Sequence, residues 1–141
     1  MTIKIRYHAP IEKLEHKEIG DWIDLRAAEN VSLLAGESRL ISLGVSMRLP
    51  RGFEAHIVPR SSTFKRWGIL QTNSMGVVDE SFCGDQDIWR MPVYAVRDTQ
   101  ISVNDRICQF RIVAKMQPVA FEEVEAMDAV SRGGFGSTGD R

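Results

Sequence analysis

Two short stretches hold most of the residues able to do chemistry. In Pro59-Arg60-Ser61-Ser62-Thr63-Phe64-Lys65-Arg66, three hydroxyls and a guanidinium meet at the expected start of a short helix. Free N–H groups and the helix dipole favour a phosphate there; the alternative is a capped loop with a solvated basic face. Thr72-Asn73-Ser74-Met75-Gly76-Val77-Val78-Asp79 closes an apolar stretch on one carboxylate. Asp79 at a strand end suits a turn former as well as a general base. Asp105-Arg106, ahead of Ile107-Cys108-Gln109, reads equally as a local ion pair. Gly134-Phe135-Gly136-Ser137-Thr138-Gly139 satisfies Gly-x-Gly-x-x-Gly. In this sequence no helix-length segment follows it, and Asp140 stands where a P-loop needs Lys, so neither nucleotide motif is met. Successive small residues still leave backbone N–H groups free to wrap an anion, the alternative being a solvated terminus.

Other chemistries are disfavoured. His8, His16 and His56 are not at metal-ligand spacing with each other or with Cys83 and Cys108, and there is no Cys-x-x-Cys, which argues against a zinc hydrolase or zinc deaminase. No Gly-x-Ser-x-Gly elbow is present. With 18 Lys+Arg against 19 Asp+Glu, the chain is not expected to be held to nucleic acid by its overall charge. The two cysteines, in apolar or Gly-flanked contexts, are expected to be reduced packing residues of a cytoplasmic protein. Charge alternates with apolar residues from Met1 to Tyr7, unlike a signal peptide, and no run nears the roughly 20 apolar residues of a membrane helix.

The elements that must position these residues are mostly strands. At 141 residues, 43% hydrophobic and 26% charged, the chain suits one self-sufficient domain. Ile41, Leu43, Val45, Met47 and Leu49 alternate with Ser42, Gly44, Ser46 and Arg48, predicting one strand with a buried and a wet face. Pro50-Arg51-Gly52 predicts a turn, and Phe53 to Ile57 resumes the alternation. Further strands are expected over residues 89–96, with Pro92 marking an edge or bulge, and over 107–113. Short strands between turn signals predict an all-β sandwich or barrel. The one expected helix runs from Ser61 to Trp67, with Gly68 at its C′ position. The glycine-rich residues 131–141 are expected to form a mobile tail after a domain spanning 1–130.

The order of these stretches is more specific than any one of them. Asp24-Leu25-Arg26-Ala27, Pro59-Arg60-Ser61-Ser62, Asn73 through Asp79 to Phe82 and Gly84, Asp105 to Gln109, and Gly133 to Gly139 resemble, in succession, the five motifs of the trimeric dUTPase family. The stretch from Gln71 to Trp89 resembles the branch found in Gram-positive bacteria and their phages. The resemblance implies a distorted jelly-roll-like β-barrel or sandwich with one short helix and a flexible C-terminal tail. It also implies a homotrimer with shared active sites and Mg²⁺-assisted hydrolysis of dUTP to dUMP and pyrophosphate, which limits uracil in DNA and supplies dUMP. By that resemblance Asp79 activates the attacking water. Arg60, Ser61, Ser62 and Gln109 hold the phosphates and the water, and Arg132, Ser137 and Thr138 add phosphate contacts. Asn73, Gly76, Val78, Asp79, Phe82 and Gly84 contact uracil and deoxyribose, with Phe135 closing over the ring from a neighbouring subunit. Asp24 shapes the outer shell of the Mg²⁺, acting through water.

Two positions depart from the family pattern. Phe82 stands where Tyr is usual, keeping the flat ring beneath the sugar and losing the hydroxyl. Arg132 lies three residues before Phe135 where the family's arginine lies five before, which leaves Arg132 and Arg141 as candidates for the γ-phosphate. The rival readings are a related dCTP deaminase and, for a phage-encoded chain, a regulatory module that binds a repressor protein. Neither a nucleic acid nor a membrane is an expected partner.

Overall fold

The apolar face through residues 41–49 is kept, but not as one strand, and the expected wet face is not kept: Gly44 and Ser46 are buried as well, Ser46 beneath His8 and the Asp85 carbonyl, which its hydroxyl meets at 2.8 and 3.2 Å. Ile41, Leu43, Val45, Met47 and Leu49 are all buried, while the chain bends at Gly44, where φ is 67°. Only glycine suits this point: an added Cβ would lie 2.6 Å from the Ala28 Cβ and 3.3 Å from that of Ala9. The bend passes the chain from one sheet to another without interrupting its buried face.

The computed structural model describes residues 1–136, 138 and 139. Among them the elements are β1 (Lys4–Tyr7), β2 (Ile23–Arg26), β3 (Val31–Leu33), β4 (Ser38–Ser42), β5 (Val45–Arg48), β6 (Phe53–Pro59), α1 (Thr63–Trp67), β7 (Ile69–Gln71), β8 (Gly76–Val78), β9 (Arg90–Ala95), β10 (Thr99–Ile101) and β11 (Arg106–Ala114). They form a four-stranded sheet β2-β11-β6-β8, a three-stranded sheet β4-β9-β7 and the pairs β1-β5 and β10-β3, with every pairing antiparallel. The expected all-β, jelly-roll-like layering is present, built from open sheets rather than a closed barrel. Trp89 and Phe110 meet edge-to-face at 5.2 Å in the shared core, a favourable geometry for their ring quadrupoles.

Three local expectations are corrected. Pro92 lies in β9, the middle strand of its sheet, rather than at an edge. Its carbonyl accepts from Thr72 N at 3.0 Å, and β7 ends in register at Gln71↔Val93. The missing N–H therefore faces the end of a strand, where no ladder bond is lost. The helix begins at Thr63, two residues later than expected, with Ser62 at the N-cap position but making no side-chain cap bond. Its expected stop is present: Gly68 is left-handed and donates to the Phe64 carbonyl at 2.7 Å. Of the two cysteines only Cys108 packs inside, and Cys83 is exposed. Burial, with the Asp24 charge adding, pushes the Cys108 thiol far above its ordinary pKa. Among the described residues no helix is long and apolar enough to cross a membrane.

Gly44→Ala must adopt a left-handed conformation and press a methyl against two alanines, so it should destabilise the fold by about 2–4 kcal/mol. Denaturant titration should show a lower midpoint at unchanged slope; an unchanged midpoint would mean the bend is not constrained as described.

Candidate active site

Strand register places the residues expected to hold phosphate. In β11, Cys108 and Phe110 point into the core, so Gln109 points outward, paired with Asp24 on one side and Val58 on the other. A register shift between Arg106 and Cys108 lies just ahead of it. Arg106 Nη1 reaches Asp24 Oδ2 at 3.2 Å, and Arg60 Nε takes Asp24 Oδ1 at 2.9 Å. The local pair with Asp105 does not form; that carboxylate accepts from Ser102 N at 2.8 Å instead. Arg60 also donates to the Arg106 carbonyl at 3.2 Å, and Gln109 Nε2 to the Pro59 carbonyl at 3.2 Å.

Thr63 ties this cluster together. It is fully buried, and its hydroxyl accepts from Arg60 N at 2.8 Å and donates to the Ile107 carbonyl at 2.9 Å. The Arg60-Ser61-Ser62 loop is thereby fixed to β11, with Ser61 exposed and Ser62 half-buried. Asp24, Arg60, Ser61, Ser62 and Gln109 thus lie in one cluster. Arg106 and Thr63 are additions: an arginine beside an aspartate in sequence suggested the wrong partner, and a buried threonine has no signature.

Asp24 already gives each carboxylate oxygen to a guanidinium. Its remaining lone pairs suit a hydrogen bond from a metal-bound water rather than direct coordination, so this chain fits Mg²⁺ only in the outer shell. Among the described residues no cluster of three or more His, Cys, Asp or Glu side chains is placed to hold a metal.

The second half of the site is a cleft of about 610 Å³ beside the edge strand β8. Asn73, Gly76, Val78, Asp79 and Phe82 line it, together with Ile57 and Arg90. Gly84 is not in its lining; its N–H is held by Asp87 Oδ2 at 2.8 Å. The Asp79 carbonyl accepts from Phe82 N at 3.0 Å and its Oδ1 from Ser81 N at 3.3 Å, while Lys115 Nζ stands 3.6 Å from Oδ1. The Ser81 N–H, with the Lys115 ammonium adding, holds the Asp79 carboxyl below its ordinary pKa. Lys115 also pairs with Glu80 at 3.2 Å, and Glu80 accepts from Gly52 N at 2.7 Å. No sequence pattern marked Lys115, which follows the end of β11.

The two halves are apart. Asp79 follows Val78, which pairs with Ala55, so it lies level with Glu54 near the start of β6, whereas Arg60 follows that strand's end. Six residues of extended chain span about 20 Å. Gln109, level with Val58, is offset from Asp79 by about 13 Å along the sheet and about 10 Å across it. Phe135, Arg132 and Thr138 are exposed, and none of them lines the cleft. Ser137 and Arg141 lie outside the described residues.

An all-β frame thus carries a cleft of about 610 Å³ beside β8 and, toward the other end of β6, a cluster of Arg60, Ser61, Ser62 and Gln109 whose donors suit an anion. The model of the dUTPase family matches residues 21–139. The chain is 55% identical, over the whole of both chains, to the SPbeta prophage-derived deoxyuridine 5'-triphosphate nucleotidohydrolase of Bacillus subtilis. It is 34% identical to the deoxyuridine 5'-triphosphate nucleotidohydrolase of Crocosphaera subtropica, covering 97% of this chain and 96% of that one. The fold is similar to that of the dUTPase from phage phi11 of S. aureus, with TM-score 0.75 at 18% identity over 92% of this chain and all of that one. It is also similar to Staphylococcus bacteriophage 80alpha dUTPase with dUPNHPP, with TM-score 0.76 at 21% identity over 98% of each chain. The chain belongs to the dUTPase family, enzymes that hydrolyse dUTP.

Thr63→Val keeps the side chain's shape and loses both buried hydrogen bonds, which should cost about 2–3 kcal/mol of stability. A loosened Arg60 loop should also raise the KM for dUTP about tenfold. Thr63→Ser, which keeps the hydroxyl, should recover most of both. Equal melting temperatures and equal KM values for the two variants would remove Thr63 from the support of the site.

Proposed function

We propose that the protein hydrolyses dUTP to dUMP and pyrophosphate at sites shared between copies of the chain, probing one nucleotide with residues from opposite ends of β6. The separation of Asp79 from Gln109 carries this reading. A carboxylate that activates water and a glutamine that holds it must both lie within a few ångströms of one α-phosphorus. One chain keeps them far apart, so the cleft of one copy must meet the Asp24-Arg60-Gln109 cluster of another. A closed trimer satisfies this need three times over.

In that arrangement the uracil enters the cleft among Asn73, Gly76 and Val78, with the Phe82 ring under deoxyribose and Asp79 beside the α-phosphate. Gly84 acts by shaping the turn rather than by touching the base. Arg60, Ser61 and Ser62 hold the phosphates through charge-assisted and hydroxyl hydrogen bonds, and Gln109 orients the attacking water. Asp79, ionised at neutral pH, takes the proton of that water as the α-phosphorus is attacked. Bound Mg²⁺ would neutralise the triphosphate, with Asp24 reaching its waters. The tail from residue 131, including Arg132, Phe135, Ser137 and Thr138, closes over the nucleotide of a neighbouring copy and excludes water. Arg132 and Arg141 are the two candidates for the γ-phosphate. Support for the metal comes from a phage phi11 dUTPase variant that coordinates a structural Mg(II) ion. The activity fits a cytoplasmic enzyme.

The regulatory alternative, with a repressor protein as partner, rests on phage dUTPases described as controlling transfer of virulence genes. At 17% identity that likeness shows the fold alone, and no feature of this site favours that role over hydrolysis. A dCTP deaminase is separated by assaying ammonia from dCTP.

Pyrophosphate release from dUTP, dTTP, dCTP and UTP, with and without Mg²⁺, is the direct test. Strong preference for dUTP with Mg²⁺ is expected, and Asp79→Asn should lower kcat by about 10²–10⁴ while nucleotide binding persists. Near-normal turnover in that variant would remove Asp79 as the base.

Sedimentation should give about 48 kDa, three times the chain mass of 15.9 kDa. A fully active monomer would overturn the shared site.

A further inference from the structure

We infer that Gln71, a residue outside the nucleotide cleft, sets the base selectivity of the enzyme by fixing which end of the Asn73 amide faces the pyrimidine. The inference rests on the cleft beside β8 being the uracil site. Gln71 ends β7 and is almost entirely buried. Its Nε2 lies 2.9 Å from the Ile57 carbonyl of β6 and 2.9 Å from Asn73 Oδ1.

The first contact decides the second. A backbone carbonyl can only accept, so the Gln71 atom facing it must be the amide nitrogen. That nitrogen has two hydrogens and no acceptor capacity, so the Asn73 atom it also faces must be the oxygen. Nδ2 is then turned away from Gln71, and it stands 3.5 Å from where a Cβ on Gly76 would lie. Asn73 and Gly76 both line the cleft. The polarity of a main-chain carbonyl is thereby relayed through two side-chain amides to the cleft, which is offered a donor.

A donor suits the carbonyl at position 4 of uracil and opposes the amino group at position 4 of cytosine. Direct hydrogen bonding of a base edge gives large discrimination because the wrong base leaves a buried polar group unpaired. The arrangement has a cost: Gln71 Oε1 is buried without a hydrogen-bond partner. An apolar residue filling the same space would avoid that cost but could not orient Asn73.

Gln71→Glu reverses the relay. A carboxylate there cannot donate to Ile57 and accepts from Asn73 Nδ2, which turns Oδ1 toward the base. The ratio of kcat/KM for dUTP over dCTP should fall at least about tenfold, with dCTP use rising in absolute terms. Gln71→Met, which leaves Asn73 free to turn, should raise the KM for dUTP several-fold with kcat nearly kept and with no gain for dCTP. A mere tie between β7 and β6 would lower the melting temperature without changing which base is chosen. Calorimetric binding of dUMP and dCMP to the same proteins reads selectivity without turnover. Failure of the wild type to hydrolyse dUTP would therefore count against the proposed reaction and leave this inference to the dUMP:dCMP ratio. A folded Gln71→Glu protein with unchanged selectivity would overturn the inference. If that variant does not fold, a wild-type KM for dUTP and wild-type dUMP affinity in Gln71→Met would overturn it equally.

Discussion

The pairing of β6 with β11 is the constraint on which the site depends. It runs in unbroken antiparallel register from Cys108↔Pro59 to Ala114↔Phe53, and a one-residue slip would exchange every inward and outward side chain. Cys108 and Phe110 anchor the register in the core. The alternate residue Gln109 is thereby forced outward beside Asp24. The same ladder sets the distance between the Arg60-Gln109 cluster toward one end of β6 and the Asp79 turn at the other, so a local packing decision keeps Asp79 and Gln109 far apart within one chain.

Charge is handled differently at the two ends. At the Arg60 end Asp24 joins Arg60 and Arg106, which holds two like-charged guanidinium groups close together, an arrangement that suits an anion. At the Asp79 turn, Lys115 is shared by Asp79 and Glu80. These groups are substantially exposed, so the pairing contributes little to stability. Its effect is to keep both carboxylates ionised and to steady the turn, with Glu80 also holding the Gly52 N–H. A carboxylate kept ionised is always ready to accept a proton but is a weaker base for it. In the reaction proposed above, exclusion of water by the nucleotide would oppose that weakening.

Much of this was legible in the sequence, for identifiable reasons. Period-2 alternation marks the apolar face, so Ile41, Leu43, Val45, Met47 and Leu49 are legible as buried, but it does not show that the opposite face is covered at Gly44 and Ser46. It does not report partners, so the exchange of sheets at Gly44 was invisible. Pro92 was misplaced because the edge rule concerns which side of a strand lacks a neighbour, a matter of register rather than of sequence. The helix start at Ser61 follows from residue type alone, whereas the helix begins at Thr63, whose hydroxyl makes the decisive bonds from inside. Asp24, Arg60, Gln109, Asn73 and Asp79 are legible as candidates because their motifs are short and ordered. Arg106, Lys115 and Gln71 act through partners 82, 36 and 14 residues away, and no local pattern encodes such pairs.

The contrast between the two cysteines has a practical consequence. Cys108 is sealed in the core with its thiolate strongly disfavoured, which makes it inert to alkylating reagents while the protein is folded. Cys83 is exposed and adjoins Phe82, a wall of the cleft. The sequence therefore offers a single chemically addressable thiol next to the pocket, and a maleimide fluorophore attached there would report occupancy of that pocket without any engineered cysteine.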